Sequence, residues 1–316
     1  MPPAAPLLAL ALLTMTSAGL VALMARVGVL DIPDARKSHS HPIPKGGGVG
    51  IVAASLLGAA FLNGPMAPRA VVALGGLLVA SVGYWDDRHN FPPAIKFTAQ
   101  LLAAMLPVLC GLTPRLSGLF PLDAAVSIGW ILLVTNAVNF MDGLNGLAAG
   151  ATMIAASATL LAGGFANLTI GLIAGVLGFL PFNYPRARVF MGDVGSQFCG
   201  YALALLGLFA ADGPHPRLIG FALAGLLTDV VFTLIRRGLA GERVTTAHRG
   251  HLYQIAQRSG VPAPLVTLIH WAFAGWGAWL GVLPWHGGLL AALLAPQLGW
   301  ALYVVMRARR HPVGRW

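Results

Sequence analysis

Only ten acidic residues occur in this 316-residue sequence, and several stand beside the asparagines, glycines and basic side chains that metal and phosphate chemistry uses. Asp86 and Asp87 are adjacent in GYWDDRHN, where two carboxylates repel unless a cation or proton lies between them. A solvated pair offset by Arg88 and His89 is the plain alternative. Hard oxygen ligands of this kind suit Mg²⁺, or Mn²⁺ in its place, which takes one or two protein carboxylates together with substrate phosphate and water. In TNAVNFMDGLNGLAAG, the residues Asn136, Asn139, Asp142 and Asn145 recur at every third position, which predicts one polar face at a helix end. A C-cap at Gly143 or Gly146 would account for one such residue but not for four.

VFMGDVGSQFCG sets Asp193 between Gly192 and Gly195 just ahead of an apolar run. A helix beginning there would turn unsatisfied backbone N–H groups toward an anion; taken alone, a plain N-cap explains the segment equally well. RRGLAGERVTTAHRGHLYQIAQRSG gathers Arg236, Arg237, Arg243, His248, Arg249, His251 and Arg258, followed in part by Tyr253 and Gln254. That composition suits a phosphate clamp. DIPDARKSHSHPIPKGGGVG adds His39, His41, Lys45 and three glycines, compatible with close approach to an anion although it is not a P-loop pattern.

The elements that carry these residues are set by composition. Hydrophobic residues make up 57% of the chain and charged residues 9%, far below the roughly 25% charged residues of a soluble domain. Apolar stretches near the roughly 20 residues needed to cross a bilayer recur along the whole length. They predict an all-α, polytopic membrane protein of a single domain, 1–316, with about eleven spans at 4–26, 46–63, 70–85, 95–111, 125–141, 144–163, 166–183, 194–211, 216–236, 262–282 and 286–306. The third and fifth are short. The first lacks a basic n-region and its charges follow the apolar run, so it is expected to be retained as a helix.

Of the 20 Lys and Arg residues, only Arg69, Arg115 and Arg217 fall on one set of alternating loops, leaving seventeen on the other. The positive-inside rule puts the larger set in the cytoplasm, with the N-terminus outside and the C-terminus inside. The formal charge of +10 then reads as a topology signal and an affinity for lipid headgroups, not for nucleic acid. Cys110 and Cys199 fall in apolar spans and predict neither a disulfide nor a thiolate metal site. Asp123 and Asp212 sit on outer loops; the other eight acids fall on the cytoplasmic side, where an acid near hydrocarbon marks a site or an ion pair.

In order, DIPDARKSHSHPIPKGGG, GYWDDR, NAVNFMDGLNGLA, FNYPRARVFMGDVGS and AHRGHLYQ resemble the polyprenyl-phosphate N-acetylhexosamine-1-phosphate transferases. This family includes phospho-MurNAc-pentapeptide translocase and the enzymes that start O-antigen or teichoic-acid lipid intermediates. The resemblance spans nearly the whole chain. It implies a Mg²⁺-dependent enzyme of the bacterial inner membrane that moves a sugar 1-phosphate from a UDP-amino sugar to undecaprenyl phosphate and releases UMP. By that resemblance Asp193 and Asn139 belong to the metal, and Asp86, Asp87 and Asp142 to catalysis. His248, Arg249 and His251 match the histidine loop at the diphosphate. Asn183 and Phe190 match positions at the uracil ring, while Lys45 and Asn145 join them in binding substrate.

The loop reads HRGHLYQ without the adjacent histidines of the peptidoglycan translocase, which argues against that substrate. LLTDVVFTLIRR, with Asp229 ahead of Arg236 and Arg237, resembles the O-antigen-initiating subgroup and implies GlcNAc, QuiNAc or FucNAc as the sugar; pairing with a nearby arginine is the plain alternative for Asp229, whose role the sequence leaves open. Expected partners are the two substrates and membrane lipids, with a homodimer as a possible assembly. A transporter or flippase for an anionic substrate is the competing class. It would place charges near the midplane and show an internal repeat, and the sequence displays neither. The Asp-rich signature of CDP-alcohol phosphotransferases is absent.

Overall fold

The computed structural model describes residues 4–33, 41–61, 65–243 and 248–311. Asp34, Arg36, Lys37 and His39 of the first loop lie outside the described residues. The helices are α1 (Ala4–Val27), α2 (Gly48–Phe61), α3 (Met66–His89), α4 (Pro93–Leu109), α5 (Phe120–Phe140), α6 (Leu147–Leu161), α7 (Ala166–Asn183), α8 (Asp193–Ala210), α9 (Leu218–Ala222), α10 (Ala224–Leu239), α11 (Leu252–Arg258), α12 (Ala263–Val282) and α13 (Leu289–Arg310). Two short antiparallel strands, β1 (Leu30–Asp31) and β2 (Ile43–Pro44), follow α1.

Seven helices, α1, α3, α5, α7, α8, α12 and α13, are long and apolar enough to cross a bilayer, and α2, α4 and α6 are shorter apolar helices. The all-α, many-span architecture therefore holds, while the expected ninth span does not form one helix. It breaks at Leu223 into the five-residue α9 and the 16-residue α10. The third and fifth spans are not short, since α3 runs for 24 residues and α5 for 21. Hydropathy stops at the charges of WDDRH, but the helix does not. Arg88 and His89 in its last turn suit the negative helix end.

α8 forms the middle of the bundle, packed by α5, α3, α2 and α6, and nearly every side chain from Val194 to Leu206 is buried. α7 lies between α1, α2 and α6. Small residues bring these backbones together, as membrane helices require without a hydrophobic drive between them. Any Cβ on Gly48 would meet the Gly195 backbone, and Ser17 Oγ donates to the Gly175 carbonyl at 2.8 Å. In α13, Pro296 has no N–H for the Ala292 carbonyl, and Trp276 Nε1 donates to that oxygen instead at 3.0 Å.

Candidate active site

One end of the bundle collects the helix termini that carry the polar motifs. The chain leaves α1 through β1, returns along β2, and at Lys45 runs beside Phe190. Phe190 N–H donates to Pro44 at 2.8 Å, while Gly47 and Gly48 donate to the carbonyls of Phe190 and Met191, each at 2.9 Å. This ties the first loop to the entry of α8. Lys45 Nζ reaches Asp31 Oδ1 at 2.9 Å and approaches Asp87 Oδ1 at 3.9 Å. Burial opposes its charge, but the Asp31 hydrogen bond and the charges of Asp31, Asp87 and Asp193 hold the Lys45 pKa above its ordinary value.

Asp193 opens α8 behind Gly192, whose φ of 74° suits glycine. Its carboxylate accepts from Asn139 Nδ2 at 3.1 Å, Gln197 Nε2 at 3.2 Å and Lys96 Nζ at 3.1 Å. Asn139 also donates to Ser196 Oγ at 2.8 Å. Asp87 Oδ2 lies 3.4 Å from the Val194 N–H, so a carboxylate already faces the helix start where a phosphate was expected. Lys96 joins Asp193 to Asp86, whose Oδ2 is 2.9 Å away.

The third motif does not form one helical face. α5 ends at Phe140, and Asp142 and Asn145 lie in the following turn, with Gly146 at φ 74°. Tyr253 Oη donates to Phe140 O, Asn183 Oδ1 accepts from Gly146 N–H, Trp271 Nε1 donates to Gly146 O and Thr267 Oγ1 donates to Asn145 O. These partners pin the turn and replace the missing helical bonds. Asp142 is half-buried at the pocket wall. Burial, then the negative charges of Asp193 and Asp87, push its pKa well above the usual carboxylate range.

The pocket is lined by Lys45, Asp87, Asn139, Asp142, Asn145, Asn183, Phe190, Asp193 and Arg249, all expected from sequence. Asp31, Ser196, Gln254 and Gln257 join them. Asn183 borders the pocket, yet its amide binds backbone, donating to Val189 O at 3.0 Å and accepting from Gly146. That makes it a brace more than a base contact. Asp86, His248 and His251 are not on the wall. Asp86 is turned onto Lys96 and the Phe91 N–H.

His251 is buried, with Nδ1 at 3.0 Å from Asp229 Oδ1, and stacks on His248 at a centroid distance of 4.9 Å. Asp229 thus takes a histidine, not an arginine, as its ionisable partner among the described residues. His248 Nδ1 accepts from Gly250 N–H at 3.1 Å, which leaves Nε2 as the protonated nitrogen of a neutral ring. Burial, then the electrostatic influence of the neighbouring His251, Arg237 and Arg236, lowers the His248 pKa to about 4.

Lys96 is the largest omission of the sequence reading. It counts there as one more inside charge, although a lysine in the first turn of an apolar helix is a signal in its own right. Among the described residues no three acidic, histidine or cysteine side chains already form a metal cluster. The donor set instead suits a cation that takes one or two carboxylates and completes its shell with phosphate and water. On the wall, the carboxyl groups of Asp31, Asp87, Asp142 and Asp193 crowd beside Lys45 and Arg249, and a divalent cation entering with a polyphosphate would relieve their mutual repulsion. Asp193, with the Asn139 amide beside it, is placed to hold that cation.

Helices long and apolar enough to cross a membrane thus carry a carboxylate-rich pocket at one end of the bundle. The sequence model of Glycosyl transferase family 4 matches residues 69–211. A probable undecaprenyl-phosphate N-acetylglucosaminyl 1-phosphate transferase of Bacillus subtilis is 31% identical over 77% of this chain and 74% of its own length. A decaprenyl-phosphate N-acetylglucosaminephosphotransferase of Mycobacterium tuberculosis is 31% identical over 84% of this chain and 78% of its own. A phospho-N-acetylmuramoyl-pentapeptide-transferase of Limosilactobacillus reuteri is 27% identical over 68% and 69%. The chain belongs to glycosyl transferase family 4, the polyprenyl-phosphate hexosamine-1-phosphate transferases.

Proposed function

We propose that the chain transfers an N-acetylhexosamine 1-phosphate, or its 6-deoxy relative, from a UDP-sugar to undecaprenyl phosphate at the cytoplasmic face of a bacterial inner membrane. A lipid-linked cell-envelope glycan such as O-antigen would begin on that product. One observation carries the reading: Asp87, Asp142, Asp193, Lys45 and Arg249 converge on one open pocket at one end of the bundle. A transporter would need such groups along a path through the membrane.

In the proposed step an oxygen of the lipid phosphate attacks the β-phosphorus of the UDP-sugar. A new phosphoanhydride forms as the bond to the UMP oxygen breaks, and UMP leaves with that electron pair. The lipid phosphate is already ionised, so direct attack needs no strong base. Catalysis then rests on positioning and charge neutralisation. Mg²⁺ held at Asp193 and Asn139 would neutralise charge on the transferring phosphoryl group. Arg249 offers a planar donor to the diphosphate, and Phe190 an aromatic face to the uracil. Lys45 balances Asp31 and Asp87 beside the lipid phosphate.

The relatives from Bacillus subtilis and Mycobacterium tuberculosis are named for N-acetylglucosamine, which makes UDP-GlcNAc the first donor to test, ahead of the QuiNAc and FucNAc donors. The decisive assay supplies purified protein with undecaprenyl-pyrophosphoryl sugar and labelled UMP. Because one phosphoanhydride replaces another, labelled UDP-sugar should appear without an energy source and stop when Mg²⁺ is removed. No exchange across the UDP-amino sugars in folded protein would favour the transporter.

A further inference from the structure

Asp229 stands on α10, is 2% exposed, and belongs to no wall of the pocket. Its carboxylate nevertheless gathers four donors. Oδ1 accepts from His251 Nδ1 and Leu252 N–H, each at 3.0 Å, and from Thr233 Oγ1 at 3.3 Å, while Oδ2 accepts from Tyr253 N–H at 2.9 Å. Leu252 and Tyr253 are the first two residues of α11, whose N–H groups have no partner within their own helix. The N-cap side chain ordinarily meets that need. Here the N-cap His251 closes a capping box with Gln254, and a carboxylate from another helix takes the first two N–H groups, those of Leu252 and Tyr253.

The consequence reaches the pocket through the short helix. α11 carries Gln254 and Gln257 to the wall, and Arg249 precedes it by a single turn of loop. Gln254 Oε1 accepts from His251 N–H at 3.3 Å, and Arg258 Nη1 donates to Arg249 O at 3.0 Å. Tyr253 Oη extends the linkage to Phe140 O, next to the turn of Asp142.

We propose that Asp229 is a positioning residue. By capping α11 and holding Nδ1 of His251 it presents Arg249, Gln254 and Gln257 to the diphosphate of the donor. The assignment rests on reading the pocket as the UDP-sugar site. With Nδ1 committed to Asp229, Nε2 is the ring nitrogen left for other partners.

The test uses the full-length protein in nanodiscs. Asp229→Asn keeps the size but turns one acceptor into a donor aimed at existing donors. KM for the UDP-sugar should rise by on the order of tenfold or more, as a misplaced binding wall costs, with a smaller fall in kcat and an unchanged KM for undecaprenyl phosphate. A purely structural role would lower the yield of folded enzyme and leave KM alone. ¹⁵N-histidine spectra, assigned with His251→Asn, should show a proton on Nδ1 of His251 in the wild-type protein and loss of that fixed state in Asp229→Asn.

An unchanged KM in folded Asp229→Asn, or an unprotonated Nδ1 in the wild type, overturns the proposal. Should Asp229→Asn fail to fold, hydrogen exchange of the wild type decides: rapid exchange at the Leu252 and Tyr253 amides would equally overturn it. Absence of turnover with every UDP-sugar would instead sink the proposed function, while the spectra and exchange data still judge Asp229.

Discussion

The Lys96 ammonium lies 3.1 Å from the Asp193 carboxylate, with both side chains about one quarter exposed. It occupies ground that a metal's positive charge would also favour, and it ties Asp193 to Asp86. Removing this charge should strengthen the attraction of Asp193 for a divalent cation while loosening its placement. Lys96→Met is expected to lower the half-saturating Mn²⁺ concentration by roughly fivefold, the scale of a partly exposed charge pair, and to reduce turnover. Mn²⁺ titration by electron paramagnetic resonance checks the first and UMP exchange the second. Weaker Mn²⁺ binding in Lys96→Met would contradict this account.

Asp193→Ala removes the carboxylate on which Asn139, Gln197 and Lys96 converge. Turnover should fall by at least about a hundredfold, because lost metal charge stabilisation is worth several kcal/mol at a transferring phosphoryl group. Asn139→Ala should be severely impaired as well. Both proteins should remain folded by circular dichroism and size exclusion. Near-normal exchange by Asp193→Ala at saturating Mg²⁺ is the result that would remove Asp193 from the metal site.

Much of this arrangement was legible because an acid or amide beside hydrocarbon stands out. Asp87, Asn139, Asp142 and Asp193 were found that way, and Lys45 and Arg249 by the loops that hold them. Partners that act through backbone atoms leave no such mark. The role of Asp229 stays open in the sequence because its partners include the N–H groups of Leu252 and Tyr253, which any residue could supply. The strands β1 and β2 have two residues each and α11 has seven, too few for a periodic pattern. The break at Leu223 lies in an unbroken apolar run, so hydropathy reads through it.

Lys45 and Arg249 meet at the pocket, and Arg188 Nη2 donates to Pro181 O near the end of α7 that carries Asn183. These loops therefore share one side of the membrane if the bundle spans it. The charge asymmetry predicts that this side is the cytoplasmic one. In a Cys-free background, single cysteines at Arg88, Arg188 and Arg243 should resist an impermeant thiol reagent added to intact cells and react after permeabilisation. One at Arg115 should react from outside. The reverse pattern would invert the orientation and move the site to the outer face.

His248 supplies a pH dependence whose sign is fixed by its surroundings. Burial and then the electrostatic influence of the neighbouring His251, Arg237 and Arg236 depress its folded-state pKa from 6.5 to about 4. Between those values the unfolded chain binds a proton that the folded protein does not, so stability rises with pH across this window. The contribution is fully present above pH 6.5 and is lost as pH falls toward 4. His248→Gln keeps a polar side chain without a titrating ring. It should flatten the fall of melting temperature between pH 6.5 and 4 relative to wild type, measured in the same detergent. At pH 7 the neutral ring, with Nδ1 accepting from Gly250 N–H, carries its proton on Nε2. NMR of ¹⁵N-histidine protein should show that tautomer, and a His248 that titrates near its ordinary value would refute the charge crowding proposed for the loop.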